Sequence, residues 1–301
     1  MISNKNLMAF VFIYLWSSVS TYGSTEKLIV DDLGKKFFSD TTPQRFVSLA
    51  PSNTELLVAL GLESRIVGRT RYCNFPKSID SVEVVAGFNT LDLEKIAALN
   101  PDVVFAIRGN DMESLRGLDR LGIPFFSFDI KNLNDLNKAI KKLGIFLDVE
   151  SRADSLVTKH SIRIKNVRQK VLSINERPKV MWGLGDNSFY TAGKSTMIDN
   201  VIDLAGGDNV AREAIGEWPQ VSIETVLMWS PDIIITTQGD AEGLPALIER
   251  LSRTRVWENI PAVMNKNILF IQPDLLLRPG PRLIDALEII ADFIVSFHSN
   301  R

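Results

Sequence analysis

The chain has 301 residues, 45% hydrophobic and 23% charged, enough to bury one large core or two medium ones. Its 34 Lys and Arg against 36 Asp and Glu give a net charge of −2 with no basic stripe, which argues against a nucleic acid partner. A single cysteine, Cys73, excludes an intrachain disulfide, and two histidines, His160 and His298, exclude a metal site built on several imidazoles.

The first element is a leader. Lys5 precedes an apolar run from Leu7 to Trp16, followed by the small residues Ser18, Ser20 and Gly23, so residues 1–23 read as a cleaved signal peptide. The run is too short to cross a bilayer, although an uncleaved N-terminal anchor is the alternative. Loss of Lys5 with the leader makes the net charge −3. Cys73 is too far from the cleavage region to be the lipid-bearing first residue of a lipoprotein, so a soluble protein of the periplasm is expected.

Residues 24–150 are assigned to an N-terminal α/β lobe. A hairpin is expected at Asp32-Leu33-Gly34, then an apolar run from Arg45 to Ala50 and a helix from Asn53 to Leu60 closed by Gly61. After a segment from Leu93 to Phe105 come a helix from Asp111 to Leu121 stopped by Gly122, a strand from Ile123 to Phe128 and a helix from Leu133 to Leu147. Alternation of this kind predicts a mostly parallel sheet flanked by helices.

The rhythm then breaks. From Ser151 to Ile174 there is no Gly or Pro, and Ala153, Leu156, Val157, His160, Ile164, Val167, Val171 and Ile174 recur at spacings of three and four, which predicts one long helix within residues 151–175. Such a helix is stiff and limits motion between the lobes it joins. Residues 176–301 return to alternation as a C-terminal α/β lobe, with a run from Lys179 to Leu184, a helix from Ser195 to Ala205, a strand from Ile268 to Gln272 and a last helix from Pro281 to Phe297.

Each lobe carries one copy of a phrase, "LEKIAALNPDVVF" from Leu93 and "IETVLMWSPDIII" from Ile223. In each, a capping residue (Asp92, Ser222) precedes a helix with Glu94 or Glu224 at its second position, where a carboxylate complements the helix dipole. Asn100-Pro101 and Ser230-Pro231 end the helices, and buried strands follow. The two glutamates serve the dipole alone, or they form a matched pair of acidic knobs able to receive arginines from a symmetric partner.

Phe88 and Trp218 stand six residues before these glutamates, in polar loops that lead to the capped helices. Loops of this type in open α/β sheets face the ligand crevice, so the rings are expected to meet a large, flat ligand across a cleft, joined by Tyr72 and Trp182. Packing of the rings in the core is the alternative. Asp274 and Arg278 precede the final helix, where they form an ordinary surface ion pair or offer an acceptor and a donor fork to ligand amides.

Enzyme signatures are poor. Gly193-Lys194-Ser195 imitates a phosphate loop, but Ser188 stands where the first glycine is required, and Gly183-Leu184-Gly185 lacks the third glycine of a dinucleotide site. A serine triad would need His160 or His298, one on the apolar face of the long helix and one in the tail. No cofactor and no catalytic residue are assigned, and Cys73 is read as a packed thiol ahead of a reactive or metal-binding one.

The residues resemble the periplasmic substrate-binding proteins of bacterial ABC importers for vitamin B12, within the larger class that carries siderophores and haem. "SLAPSNTELLVALGL", the two Glu-Pro-Asp phrases, "GGDNVA" and "WENIPAV" are similar to the wider class; "VGRTRYCNFP", "AIRGND", "WPQVSIE" and "DLLLRPGPR" are similar to the B12 branch. The resemblance implies two α/β lobes joined by a single long helix, the class III architecture. It implies that Tyr72, Phe88, Trp218, Asp274 and Arg278 line a corrinoid cleft and that Glu94 and Glu224 dock onto an inner-membrane ABC permease. Phe88 stands where some members have tryptophan, and Ile107 where some have another aromatic, which thins the stacking surface. Cobalamin brings its own cobalt, so no protein ligand to metal is required. A monomeric carrier is expected, not an enzyme; the rivals are a haem or ferric-siderophore carrier with Tyr72 as an iron ligand, a two-lobed hydrolase or nucleotide-dependent enzyme, and a ligand sensor for a receptor.

Overall fold

The computed structural model describes residues 27–39, 41–87, 90–185, 188–239 and 243–299; the leader and Phe88 lie outside the described residues. The chain opens with the expected hairpin, β1 (Lys27–Val30) against β2 (Lys36–Ser39). Asp31 closes its turn, accepting from the backbone N–H of Leu33 at 3.0 Å and of Lys35 at 2.7 Å. Its other oxygen accepts from Ser127 N–H at 3.1 Å, which ties the hairpin to the lobe behind it.

The N-terminal lobe is built on β3 (Phe46–Ser48), β4 (Ile66–Thr70), β5 (Glu83–Ala86), β6 (Val103–Ile107) and β7 (Phe125–Phe128). All pair in parallel, in the order β5-β4-β3-β6-β7. The connecting helices are α1 (Pro51–Ala59), α2 (Leu93–Ala98), α3 (Met112–Arg120) and α4 (Leu133–Phe146). Gly61 and Gly122 both take φ of +72°, the left-handed conformation that ends a helix without a Cβ clash.

Helix α5 (Glu150–Val171) has 22 residues and crosses about 33 Å to the second lobe. Ala153, His160 and Val167 are buried along it, and Leu156, Val157, Ile164 and Val171 pack beside them, the face anticipated from the sequence. The C-terminal lobe contains β8 (Lys179–Trp182), β9 (Ser188–Tyr190), α6 (Met197–Leu204), β10 (Asp208–Asn209), β11 (Gln220–Ser222), α7 (Ile223–Trp229) and β12 (Ile233–Thr236). It is completed by α8 (Leu244–Ser252), α9 (Pro261–Met264), β13 (Ile268–Phe270), α10 (Pro273–Leu276) and α11 (Leu283–Ser299). Its main sheet is parallel, in the order β10-β8-β12-β13, while β9 and β11 form a separate antiparallel pair.

One apolar core runs through both lobes. It includes Phe46, Phe105 and Phe126 from the first sheet, Val180, Ile233 and Ile235 from the second, and Leu283, Leu287 and Ile294 from α11. Arg163 on α5 reaches Glu288 at 2.6 Å and Asp285 at 2.6 Å on α11, adding polar ties along the same seam. The lobes are thus fused along their helical backs, and a gap remains between them elsewhere.

Strand order locates that gap. Each sheet is built outward on both sides of a central pair, β3 and β6 in the first lobe and β8 and β12 in the second, and loops part at the carboxyl ends of such pairs. Ile107-Arg108 leaves β6 at one of these points, and Trp182 ends β8 at the other.

Candidate functional site

A cavity of about 350 Å³ lies between the lobes. Its N-terminal wall is Ile107, Arg108 and Gly109 after β6 and Phe128 to Lys131 after β7; its C-terminal wall is Ser195 to Met197, Glu217, Trp218 and Pro279. The lining is largely apolar with a charged edge, the composition of a site for a bulky small molecule.

Trp218 is 49% exposed and meets Trp182 edge to face, with ring centroids 5.9 Å apart and planes at 73°. Trp182 packs against the main core and so supports the exposed ring from behind. The loop that carries Trp218 is pinned: Gly193 N–H donates to the Glu217 carbonyl at 2.9 Å and Thr191 N–H to the Pro219 carbonyl at 3.0 Å. A Cβ at Gly193 would stand 2.5 Å from the Gly216 carbonyl, so this close approach requires glycine.

Tyr72, Asp274 and Arg278 assemble in a second cluster beside the cavity and joined to it through Pro279. Tyr72 is 49% exposed. Arg278 pairs with Asp274 at 2.7 Å, donates to Asn74 Oδ1 at 2.8 Å and Glu55 Oε1 at 3.2 Å, and comes within 3.4 Å of the Tyr72 carbonyl. The ion pair that the sequence offers as the plain alternative therefore forms, and the guanidinium, 14% exposed, is engaged chiefly by protein acceptors. Asp274, 38% exposed, is the more accessible of the two.

The organising residue of that cluster is Glu55, which sequence reasoning passed over. It sits on α1 at 4% exposure, and besides Arg278 it accepts from Arg282 Nε at 2.9 Å and Nη2 at 2.6 Å. Glu55 raises the Arg282 pKa above its ordinary value, and the guanidinium also stacks over Phe75 at 3.8 Å. One carboxylate of the first lobe thus holds two arginines of the second.

The two capped helices form as anticipated. Asp92 accepts from Lys95 N–H at 3.0 Å and Ser222 from Thr225 N–H at 3.3 Å, with Glu94 and Glu224 exposed at the second position of α2 and α7. Hydrogen bonding from Ser222 and from its own backbone N–H lowers the pKa of the Glu224 carboxyl. Both helices end before their prolines as expected, with Asn100 and Ser230 leaving the helical region at left-handed φ of 43° and 51°. Glu94 lines a groove on the N-terminal lobe together with Arg71, Asp92 and Lys95. Glu224 shares a helix face with Leu227 and Met228, which is 77% exposed.

Cys73 is fully buried, with its sulfur 3.2 Å from Thr70 Oγ1. His160 is buried against Asn137 at 3.1 Å, and burial, aided by Arg163 and opposed by Asp285, pushes its pKa down to about 4. Among the described residues no group of His, Cys, Asp and Glu is arranged to hold a metal ion, and no helix is long and apolar enough to cross a membrane.

Two lobes, a cleft at paired switch points and a fused helical back define a ligand-binding protein of the periplasmic binding class. The sequence profile of that family, described as periplasmic binding protein, matches residues 46–275, and the chain belongs to it. Among its relatives is an uncharacterised ABC transporter substrate-binding lipoprotein, YvrC of Bacillus subtilis, 30% identical over 259 residues that cover 84% of this chain and 80% of the relative. Among solved structures, the periplasmic vitamin B12 binding protein BtuF of Vibrio cholerae superposes with a TM-score of 0.74 at 28% identity, over 85% of this chain and 98% of that one. The periplasmic haem-binding protein RhuT of Roseiflexus sp. RS-1 superposes with 0.72 at 25% identity, over 84% and 98%. The family is one of substrate-binding transport proteins, whose members hold a small molecule and deliver it to a membrane permease.

Proposed function

We propose that the protein is exported by its leader to the periplasm, captures cobalamin or a related corrinoid in the inter-lobe cleft, and hands it to an inner-membrane ABC permease. The observation that carries this reading is the half-exposed Trp218 ring, supported by Trp182 and presented to a cavity whose other walls include Ile107, Phe128, Ile130 and Met197. A planar, partly apolar ligand gains from aromatic burial in a cleft that is formed beforehand, and it needs few polar contacts for orientation. Asp274, with Arg278 behind it, and Tyr72 supply rim groups. Exposed Glu94 and Glu224, the latter flanked by Leu227 and Met228, supply one anionic contact per lobe for the permease.

Haem is the second reading, favoured by the likeness to a haem-binding protein and by half-exposed Tyr72 at the cleft rim. Titration of the mature protein with cyanocobalamin, haemin and a ferric siderophore, followed by calorimetry and absorption spectra, separates the two. The corrinoid reading predicts saturable binding of cyanocobalamin at a ratio of one to one. Binding of haemin alone, with haem bands shifted by a tyrosinate ligand, overturns it.

A further inference from the structure

Four charged side chains crowd one edge of the cavity. Arg108 follows β6 and Asp129 and Lys131 follow β7, all from the N-terminal lobe, while Glu217 comes from the C-terminal lobe immediately before Trp218. Glu217 Oε1 accepts from Lys131 Nζ at 2.8 Å and lies 3.8 Å from Arg108 Nη1, which in turn is 3.4 Å from Asp129 Oδ2. Hydrogen bonding from Lys131, opposed by partial desolvation and aided by the charges of Lys131 and Arg108, lowers the pKa of Glu217, so it is ionised at neutral pH.

These groups are between 32% and 55% exposed, and ion pairs at that exposure are weak. The backbone of the Glu217 loop is fixed by Gly193 and Thr191, so the carboxylate can leave by side-chain rotation without moving Trp218. With Glu217 in place the four charges cancel. With it turned away, two cations face Asp129 alone, and one added negative charge restores the balance.

We propose that Arg108 and Lys131 form an oxyanion subsite of the cleft, occupied in the structure by Glu217, which a phosphodiester or carboxylate of the ligand displaces on binding. The inference rests on the cleft being the ligand site and adds a selection rule: a ligand with an anionic arm gains two charge-assisted contacts, and a neutral analogue leaves the Glu217 bridge intact.

The test is a titration of the mature protein with two probe pairs. Cyanocobalamin carries a phosphodiester and dicyanocobinamide lacks it; haemin carries two carboxylates and its dimethyl ester none. In the pair that binds, the double substitution Arg108→Gln with Lys131→Gln weakens the anionic member by about tenfold or more beyond any change in the neutral member, the size of one charge-assisted hydrogen bond. Glu217→Gln, which removes the internal competitor, tightens the anionic member. Equal losses for both members, or no loss for either, overturn the subsite. Preference for the haem pair with the selective loss intact supports the subsite and contradicts the corrinoid reading, and binding of none of the four probes overturns both.

Discussion

Glu55→Ala tests whether the lobes are held together by charge as well as by the shared core. Glu55 is 4% exposed, and its carboxylate receives three hydrogen bonds at 2.6, 2.9 and 3.2 Å from Arg282 and Arg278, whose side chains are 22% and 14% exposed. Removing one partner of a buried pair costs about 3 to 5 kcal/mol, because the remaining charge stays poorly solvated. Arg278 keeps Asp274 at 2.7 Å and Asn74 at 2.8 Å, and Arg282 keeps partial contact with water, which places the expected loss at the low end, about 3 kcal/mol. Spread over the unfolding entropy of a chain of this size, that loss lowers Tm by about 5 °C. Urea denaturation followed by circular dichroism reads the difference. Glu249→Ala, which breaks an ion pair with Arg253 whose side chains are 62% and 76% exposed, serves as the control and changes stability by less than about 0.5 kcal/mol. A Glu55→Ala protein as stable as the control would refute a role for Glu55 in holding the lobes together.

Two further outcomes follow from the same geometry. Glu94→Ala combined with Glu224→Ala leaves corrinoid affinity unchanged but lowers uptake through the cognate permease at least about tenfold, since each carboxylate contributes a charge-assisted contact of roughly 1.5 kcal/mol or more; equal loss of affinity and uptake contradicts the docking role. His160 titrates near 6.5 when unfolded and at about 4 in the fold, so below pH 6.5 the unfolded chain binds a proton that the folded protein refuses. Stability therefore falls with pH through this window, by about 2 kcal/mol at pH 5, and His160→Gln removes that part of the slope in denaturation curves; an unchanged slope places the His160 pKa near its ordinary value.

Much of the architecture was legible because it is written in local chemistry. The caps at Asp92 and Ser222, the stops at Gly61 and Gly122, the turn after Asp31 and the buried face of α5 each depend on residues within a few positions of one another. The strand β4 was not anticipated, since Gly68 and Arg69 interrupt its apolar pattern. Arg69 is nonetheless buried because carbonyls of Thr70, Cys73, Asp80 and Val82 receive its guanidinium. At Gly68 a Cβ would meet the Leu99 and Val47 side chains at 3.0 Å, a tight fit that glycine relieves. The short antiparallel pair of β9 and β11 was missed for a similar reason, as each strand has only three residues.

The site divides along the same line. Trp218 was identified from its loop and does line the cavity, whereas Phe88 lies outside the described residues. Tyr72 was grouped with the aromatics and Asp274 with Arg278 as a pair; in the fold Arg278 touches the Tyr72 carbonyl and Asp274 and is anchored by Glu55, which on sequence is an unremarkable helix residue in "SNTELL". Its partners are more than 200 positions away, and no local pattern announces a contact of that range. Arg108, Lys131 and Glu217 were likewise invisible until the two lobes were placed face to face.

The measurement that bears most directly on the corrinoid cleft is calorimetric titration of cyanocobalamin into the wild-type protein and into Trp218→Ala. Stoichiometric binding that weakens by at least about 1 kcal/mol in the variant, the worth of one lost aromatic stacking contact, is the predicted result. Identical affinity in the two proteins, or no heat with cyanocobalamin at all, would contradict it.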